Sequence, residues 1–459
     1  MEGLDAFAHL DPADLTIAQA GAALRAKRLT CVALVQAHLD RVPSRDPDVG
    51  AFVYVAADEA LKAAAQADAE LSHGLDRGPL HGIPFAVKDL IDVEGWPVRF
   101  GSSRFKDRIA LKTASCVTAM RDAGAIPLGL VATYELATVG PDTTSLYPQP
   151  RNPWNRNHVT GGSSSGSAAA VAAGLVRIAI GTDTAGSVRS PAAFCGVCGV
   201  KPEHGVISTD GVQPLAPSLD TVGALGRTVA ETALMVEAMA GCVGLSSGAP
   251  TRLDHVTIGY ARHWAMDDPA AHPQLLETLD AAASSLSLLG AQITLIDLPD
   301  YASTEALAGQ ILAAEQAETY KDVIADSGTD VGKMAYDSLL WGEAQTQPAL
   351  ASAKSQRETL RQQVDKMLAQ YDAVICPTVL APARPVSAFA DGQAAWVPMR
   401  TIPFNLTGHA ALSVPMGFAD GLPLGLQIVT AFGRSDQLYR IGAAFEGATD
   451  HAAVTPYPA

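Results

Sequence analysis

Gly161-Gly162-Ser163-Ser164-Ser165-Gly166-Ser167 and, shortly after, Gly181-Thr182-Asp183-Thr184-Ala185-Gly186-Ser187-Val188-Arg189 decide how this chain is read. Between them, residues 168–180 read as an alanine-rich helix, a glycine break at Gly174 and a buried strand. Compact secondary structure therefore brings two small hydroxyl-rich loops together. Loops held on a rigid scaffold are where catalytic groups concentrate. Ser187 follows Gly186 on a turn, where successive backbone N–H groups can converge on an oxyanion, a large term in acyl transfer.

Working outward, apolar residues recur at three- and four-residue spacing over 15–27, 31–42 and 56–71, which predicts helices. Ile83-Pro84-Phe85-Ala86-Val87 is an apolar strand with Lys88 at its end, 115–123 a helix, 126–131 a strand, and 148–158 a polar, proline-broken loop. Residues 201–223 read as turns and 228–239 as an amphipathic helix. Further on, 255–260 and 292–296 are strands, 273–289 a helix, and the stretch to about 370 mainly helical. Strands at 372–377, 411–414 and 425–429 close the chain. Strands alternating with helices predict an α/β layered architecture around a mixed sheet.

The chain has 459 residues, 48% of them hydrophobic and 17% charged, a globular composition. A net charge of −16 argues against nucleic acid or an anionic membrane as partner. The opening Met1-Glu2-Gly3-Leu4-Asp5 lacks the basic flank and apolar core of a signal peptide. No run approaches the roughly 18 apolar residues of a membrane span. Six scattered cysteines point to a reducing cytoplasm. Cys195-Gly196-Val197-Cys198 has zinc or redox spacing, but no second pair completes a site and its neighbours are apolar. Buried structural thiols and no metal are expected.

A serine hydroxyl needs a base. His81, His158 and His204 are available, but none sits in a pattern that specifies a triad. Gly162-Ser163-Ser164-Ser165-Gly166 fits G-x-S-x-G without the preceding strand that elbow requires. Ser103-Arg104-Phe105-Lys106 fits S-x-x-K without its companion motifs. A phosphate-cradling role for the glycine loop lacks a following G-K-[ST]. Lys88, at the end of an apolar strand, would be desolvated and its pKa lowered. The alternative is a strand-end lysine paired with Asp89, and spacing alone leaves both open.

Taken together these residues resemble the amidase signature family. The block 161–202 is similar to that family's signature, through Pro191-Ala192-Ala193-Phe194-Cys195-Gly196 and Gly199-Val200-Lys201-Pro202. Leu80-His81-Gly82-Ile83-Pro84-Phe85-Ala86-Val87-Lys88-Asp89 resembles its lysine block. Ser218-Leu219-Asp220-Thr221-Val222-Gly223, Cys376-Pro377-Thr378 and Gly421-Leu422-Pro423-Leu424-Gly425-Leu426-Gln427 match later landmarks. The resemblance spans about residues 15–450 and is weakest over 243–370.

The resemblance implies one domain over 1–459. It comprises an N-terminal helical part (1–75), a catalytic core (76–240), a variable, mainly helical part (243–370) and a C-terminal return to the sheet (371–459). The implied fold is a large mixed, mostly parallel central sheet covered by helices on both faces. It also implies a Ser–Ser–Lys triad: Ser187 as nucleophile, Ser163 on a cis peptide bond as the bridge, and Lys88 as base. Thr184, Ala185, Gly186 and Ser187 would supply the oxyanion hole, with Gly162, Ser164, Asp183 and Arg189 as support.

Ala185 stands where the family more often has glycine. The segment Leu130-Val131-Ala132-Thr133-Tyr134-Glu135-Leu136-Ala137 departs from the family's Lys-Thr-Asn opening, and its Tyr134 and Glu135 are expected to border the substrate. The implied activity is cofactor-free hydrolysis of a small-molecule amide by a cytoplasmic enzyme, with a homodimer left open. The alternative is the glutaminase subunit of a tRNA-dependent amidotransferase. Ser190, where that subunit commonly has glutamine, and the absence of its tyrosine-rich pattern over 328–343 count against it.

Overall fold

The computed structural model describes residues 10–142, 145–246, 248, 250–266, 268–343, 345–389 and 397–457. The N-terminal pentapeptide lies outside them. Eleven strands form one sheet, in the order Phe52–Val55, Ile126–Val131, Pro84–Lys88, Ile178–Asp183, Thr221–Gly226, Cys198–Lys201, Ala411–Ala419, Leu422–Val429, Ala373–Pro377, Thr257–Tyr260 and Gln292–Leu295. The sheet is mixed and helix-covered, as expected, but not mostly parallel. Six neighbouring pairs are antiparallel and four parallel.

The reason lies in the connections. Parallel neighbours need long crossovers, whereas antiparallel ones can be joined by short turns. Ala411–Ala419 turns directly into Leu422–Val429 through Asp420 and Gly421, both at positive φ (51° and 75°). That geometry suits a two-residue hairpin. These strands run several residues past their expected ends at 414 and 425. Two other segments differ from expectation. The 148–158 loop contains the hairpin Arg151–Asn152 with Asn155–Val159, and the turns of 201–223 give way to the strand Thr221–Gly226. Thr221–Gly226 and Cys198–Lys201 are buried at every residue, so they carry no apolar–polar alternation to read.

Three adjacent strands position the chemistry. Pro84–Lys88, Ile126–Val131 and Ile178–Asp183 run parallel, so Lys88 and Asp183 emerge at the same edge, where the carboxyl ends of strands commonly frame a site. The buried helix Ser165–Ala172 packs on these strands and on Arg189–Cys195. Ser115–Asp122, Val229–Ala240, Ser435–Ala448 and Leu275–Leu288 form a second connected set. The described residues from 301 to 368 are mainly helical, as expected, and Tyr301–Thr319 packs on Ile402–Leu406. No described helix is long and apolar enough to cross a membrane.

Candidate active site

Pro84–Lys88 is buried along its whole length and carries Lys88 into the interior. Lys88 Nζ lies 2.8 Å from Ser163 Oγ and 2.8 Å from Thr182 Oγ1. Burial brings its pKa down to about 7, against opposition from Asp183 and Asp220. The pairing with Asp89 does not form. Asp89 instead accepts from the Arg99 and Gly101 N–H groups (2.7 and 3.1 Å) and the Tyr147 hydroxyl (2.7 Å).

The Gly162–Ser163 peptide is cis. The Ser163 carbonyl accepts from the N–H groups of Tyr134 (3.1 Å) and Ser165 (2.8 Å). The Tyr134 ring lies on Gly162, where a β-carbon would come within 2.4 Å of it, so the close approach requires glycine. Ser164 ties the two loops together. Its hydroxyl donates to the Thr182 carbonyl (3.1 Å) and accepts the Thr182 N–H (3.2 Å), while its own N–H donates to the Ser187 carbonyl (3.1 Å).

Asp183 organises the second turn. It accepts from the N–H groups of Gly186 (2.9 Å), Val188 (3.1 Å) and Arg189 (3.3 Å), and it pairs with the Arg189 guanidinium. Burial would raise its pKa, but Arg189 and the Asn405 amide outweigh burial and hold the carboxyl well below the usual range. Arg189, itself fully buried, also donates to the Thr401 carbonyl (3.0 Å), Gln427 Oε1 (2.7 Å) and Asn405 Oδ1 (2.6 Å). Gly186 has φ +125°, and a β-carbon there would sit 2.1 Å from Thr401 Oγ1. Its N–H is held by Asp183. Thr184 donates to Asp220 (2.6 Å), which binds the turn to a neighbouring loop.

Ser187, Gly162, Ala185 and Tyr134 line a cavity of about 340 Å³, whose lining also includes Glu305 and Leu312 of the helix Tyr301–Thr319. Glu135, expected beside Tyr134, does not line it. Its carboxylate accepts from the Ser102 hydroxyl (2.5 Å) and the Gly332 N–H (3.0 Å). The histidines are engaged elsewhere: His81 accepts the Arg77 N–H (3.0 Å), His204 bonds the Pro217 carbonyl (3.2 Å), and His158 lies on the outer hairpin. Cys195 and Cys198 are buried free thiols that donate to the Thr160 carbonyl and to Glu446. The described residues hold no cluster of three or more potential metal ligands.

Sequence reasoning missed Thr182, the second partner of Lys88, although it lies inside the quoted turn. It also missed Gln427, which closes a quoted landmark. Asn405, Thr401 and Glu305 left no signal, because their importance comes only from packing distant segments together.

Residues 33–438 match the family model described as Amidase. Among curated proteins, the A-type subunit of glutamyl-tRNA(Gln) amidotransferase from Exiguobacterium sibiricum is 35% identical, covering 91% of this chain and 93% of its own length. Its counterpart from Acidothermus cellulolyticus is 34% identical over 94% of each. Among solved structures, the peptide amidase from Stenotrophomonas maltophilia superposes with a TM-score of 0.81 at 30% identity, covering 95% of this chain and 97% of its own.

Proposed function

We propose that this chain, which belongs to the amidase family, hydrolyses the C–N bond of a small carboxamide through an acyl-enzyme on Ser187. The observation that carries this reading is the buried contact of Lys88 with Ser163 at 2.8 Å, stitched through Ser164 to the Ser187 turn. A lysine brought to a pKa of about 7 is substantially neutral at physiological pH. Lys88 takes the Ser163 proton while Ser163 takes that of Ser187, whose Oγ attacks the carbonyl carbon. The N–H groups of Thr184, Ala185 and Ser187 are the candidate donors to the oxyanion, while Gly186, engaged by Asp183, shapes the turn. The tetrahedral species then breaks its C–N bond, and the relay returns the proton to the departing nitrogen. Water attacks the resulting ester, freeing the acid and restoring the Ser187 hydroxyl.

A fluorophosphonate probe tests this directly. Ser187 should be labelled and the Ser187→Ala protein should not be; persistent labelling of that variant would overturn the assignment.

The sequence comparisons favour a second reading, in which the chain is a glutaminase subunit working with partners. The curated relatives named above carry that description, and their weight runs against the order in which the sequence alone ranks the two. The cavity favours the stand-alone amidase. Its described lining holds Glu305 but no Lys or Arg, so the α-carboxylate of free glutamine would enter without a cationic partner there, at a desolvation cost.

A further inference from the structure

The catalytic cavity has a largely apolar wall, and most side-chain hydrogen-bond donors that reach it are engaged within the protein. Thr138 donates to the Glu135 carbonyl (2.7 Å), Thr184 to Asp220 (2.6 Å), Ser190 to the Gly162 carbonyl (3.3 Å) and Ser338 to the Ala335 carbonyl (2.8 Å). Gln316 turns its amide to the Ser338 carbonyl. Trp341 is 52% exposed, so bulk water is at hand for its indole N–H. Apart from the proposed nucleophile, that leaves Tyr134. Its hydroxyl has no hydrogen-bond partner among the described residues, although the residue is only 7% exposed.

The Tyr134 ring is not free to swing toward a partner. It packs directly on two glycines: a β-carbon on Gly162 would come within 2.4 Å of it, and one on Gly140 within 2.6 Å. The backbone is tied down as well. The Tyr134 N–H donates to the Ser163 carbonyl (3.1 Å), and its carbonyl accepts from the Ala137 N–H (3.0 Å) and the Thr133 hydroxyl (3.0 Å). The ring atoms that meet Gly162 include Cε2 and Cζ, which places the hydroxyl end of the ring beside the Ser163 loop. Burial pushes the phenol well above its ordinary pKa, so it keeps its proton and can donate. An apolar substrate would strip water from this hydroxyl without compensation, whereas an acceptor on the substrate would replace the lost hydrogen bond.

Resting on the amidase reading above, we infer that Tyr134 is a specificity-determining residue whose hydroxyl donates to the substrate, and that the favoured substrates are amides carrying a neutral ether or carbonyl oxygen on an otherwise apolar body. The apolar part of the wall, with Leu312 and Ile402, receives the rest of that body. A carboxylate, the other strong acceptor, meets no Lys or Arg on the described lining.

The test is an oxygen-for-methylene scan. Each alkanamide is compared with ethers of the same chain length in which one CH2 is replaced by O, by ammonia release. N-alkyl acetamides are scanned in the same way along the amine, by amine release. At one position or more the ether should have the higher kcat/KM, although oxygen is the costlier group to move out of water. Tyr134→Phe, which removes only the hydroxyl, should cut that ether-to-methylene ratio roughly tenfold, the scale of one hydrogen bond. The ratio is read within one protein, so a general loss of activity in the variant does not imitate the effect. No position favouring oxygen in either scan, or a preference that survives Tyr134→Phe, overturns the role of Tyr134 while leaving the amidase reading standing. No turnover of any amide, together with no fluorophosphonate labelling, overturns both.

Discussion

Lys88 is fully buried, and its hydrogen-bond partners are two hydroxyls. Burial penalises the charged form most strongly, and the more distant Asp183 and Asp220 recover only part of that loss. In the relay proposed above the free amine is the working form, so activity should rise as pH climbs through about 7 and level off above it. The sign follows from depletion of the base below that value, and a kcat/KM profile that falls across the same interval would reject Lys88 as the proton acceptor. Lys88→Met should lower kcat roughly a thousandfold or more, the scale of losing one member of a catalytic unit, with the pH-dependent limb lost as well. Lys88, Ser163 and Ser187 stood out in the sequence because each lies in a compact motif of unusual composition, and Lys88 does meet Ser163 at 2.8 Å. Glu135 was misplaced for the opposite reason. Its neighbour Tyr134 does line the cavity, but the carboxylate is drawn to Ser102 and Gly332 by contacts that spacing does not encode.

At the scale of elements, the serine turn keeps its form because Asp183 and Arg189 cross-link it to segments more than two hundred residues away. Both side chains of this ion pair are inaccessible to solvent. Removing one partner strands the other charge in the interior, which typically costs about 3–5 kcal/mol. Arg189→Met should therefore lose stability on that scale in chemical denaturation, and a loss confined to a few tenths would show that the pair is not structural. The Asp183 carboxyl is held below its usual range, so its share of the stability is present above the unfolded-state pKa and is lost as pH falls through the lower folded value. The strand ending in Lys88 and the helix between the serine loops could be read from apolar runs. Thr221–Gly226 and Cys198–Lys201 could not, since burial on both faces erases periodicity and glycines dilute the strand signal.

Over the whole molecule, one sheet collects strands from residue 52 to residue 429, so the cavity is built from segments that no local pattern relates. The wall around Ser187 comes from the signature block, while Glu305, Trp341 and Met399 come from the far half of the chain. The signature block around Ser187 was accordingly readable from sequence, whereas the distant segments that complete the cavity were not. The two functional readings differ at this scale, because a stand-alone amidase needs only its own cavity whereas a glutaminase subunit needs partners to reach full activity. Glutamine carries an α-carboxylate for which the described lining offers no Lys or Arg. Purified chain should therefore release ammonia from carboxylate-free amides with a higher kcat/KM than from glutamine, and adding amidotransferase partner subunits should leave that ratio unchanged. Ammonia release from glutamine that emerges only in a stable complex with those subunits, without turnover of simple amides by the chain alone, would decide for the second reading.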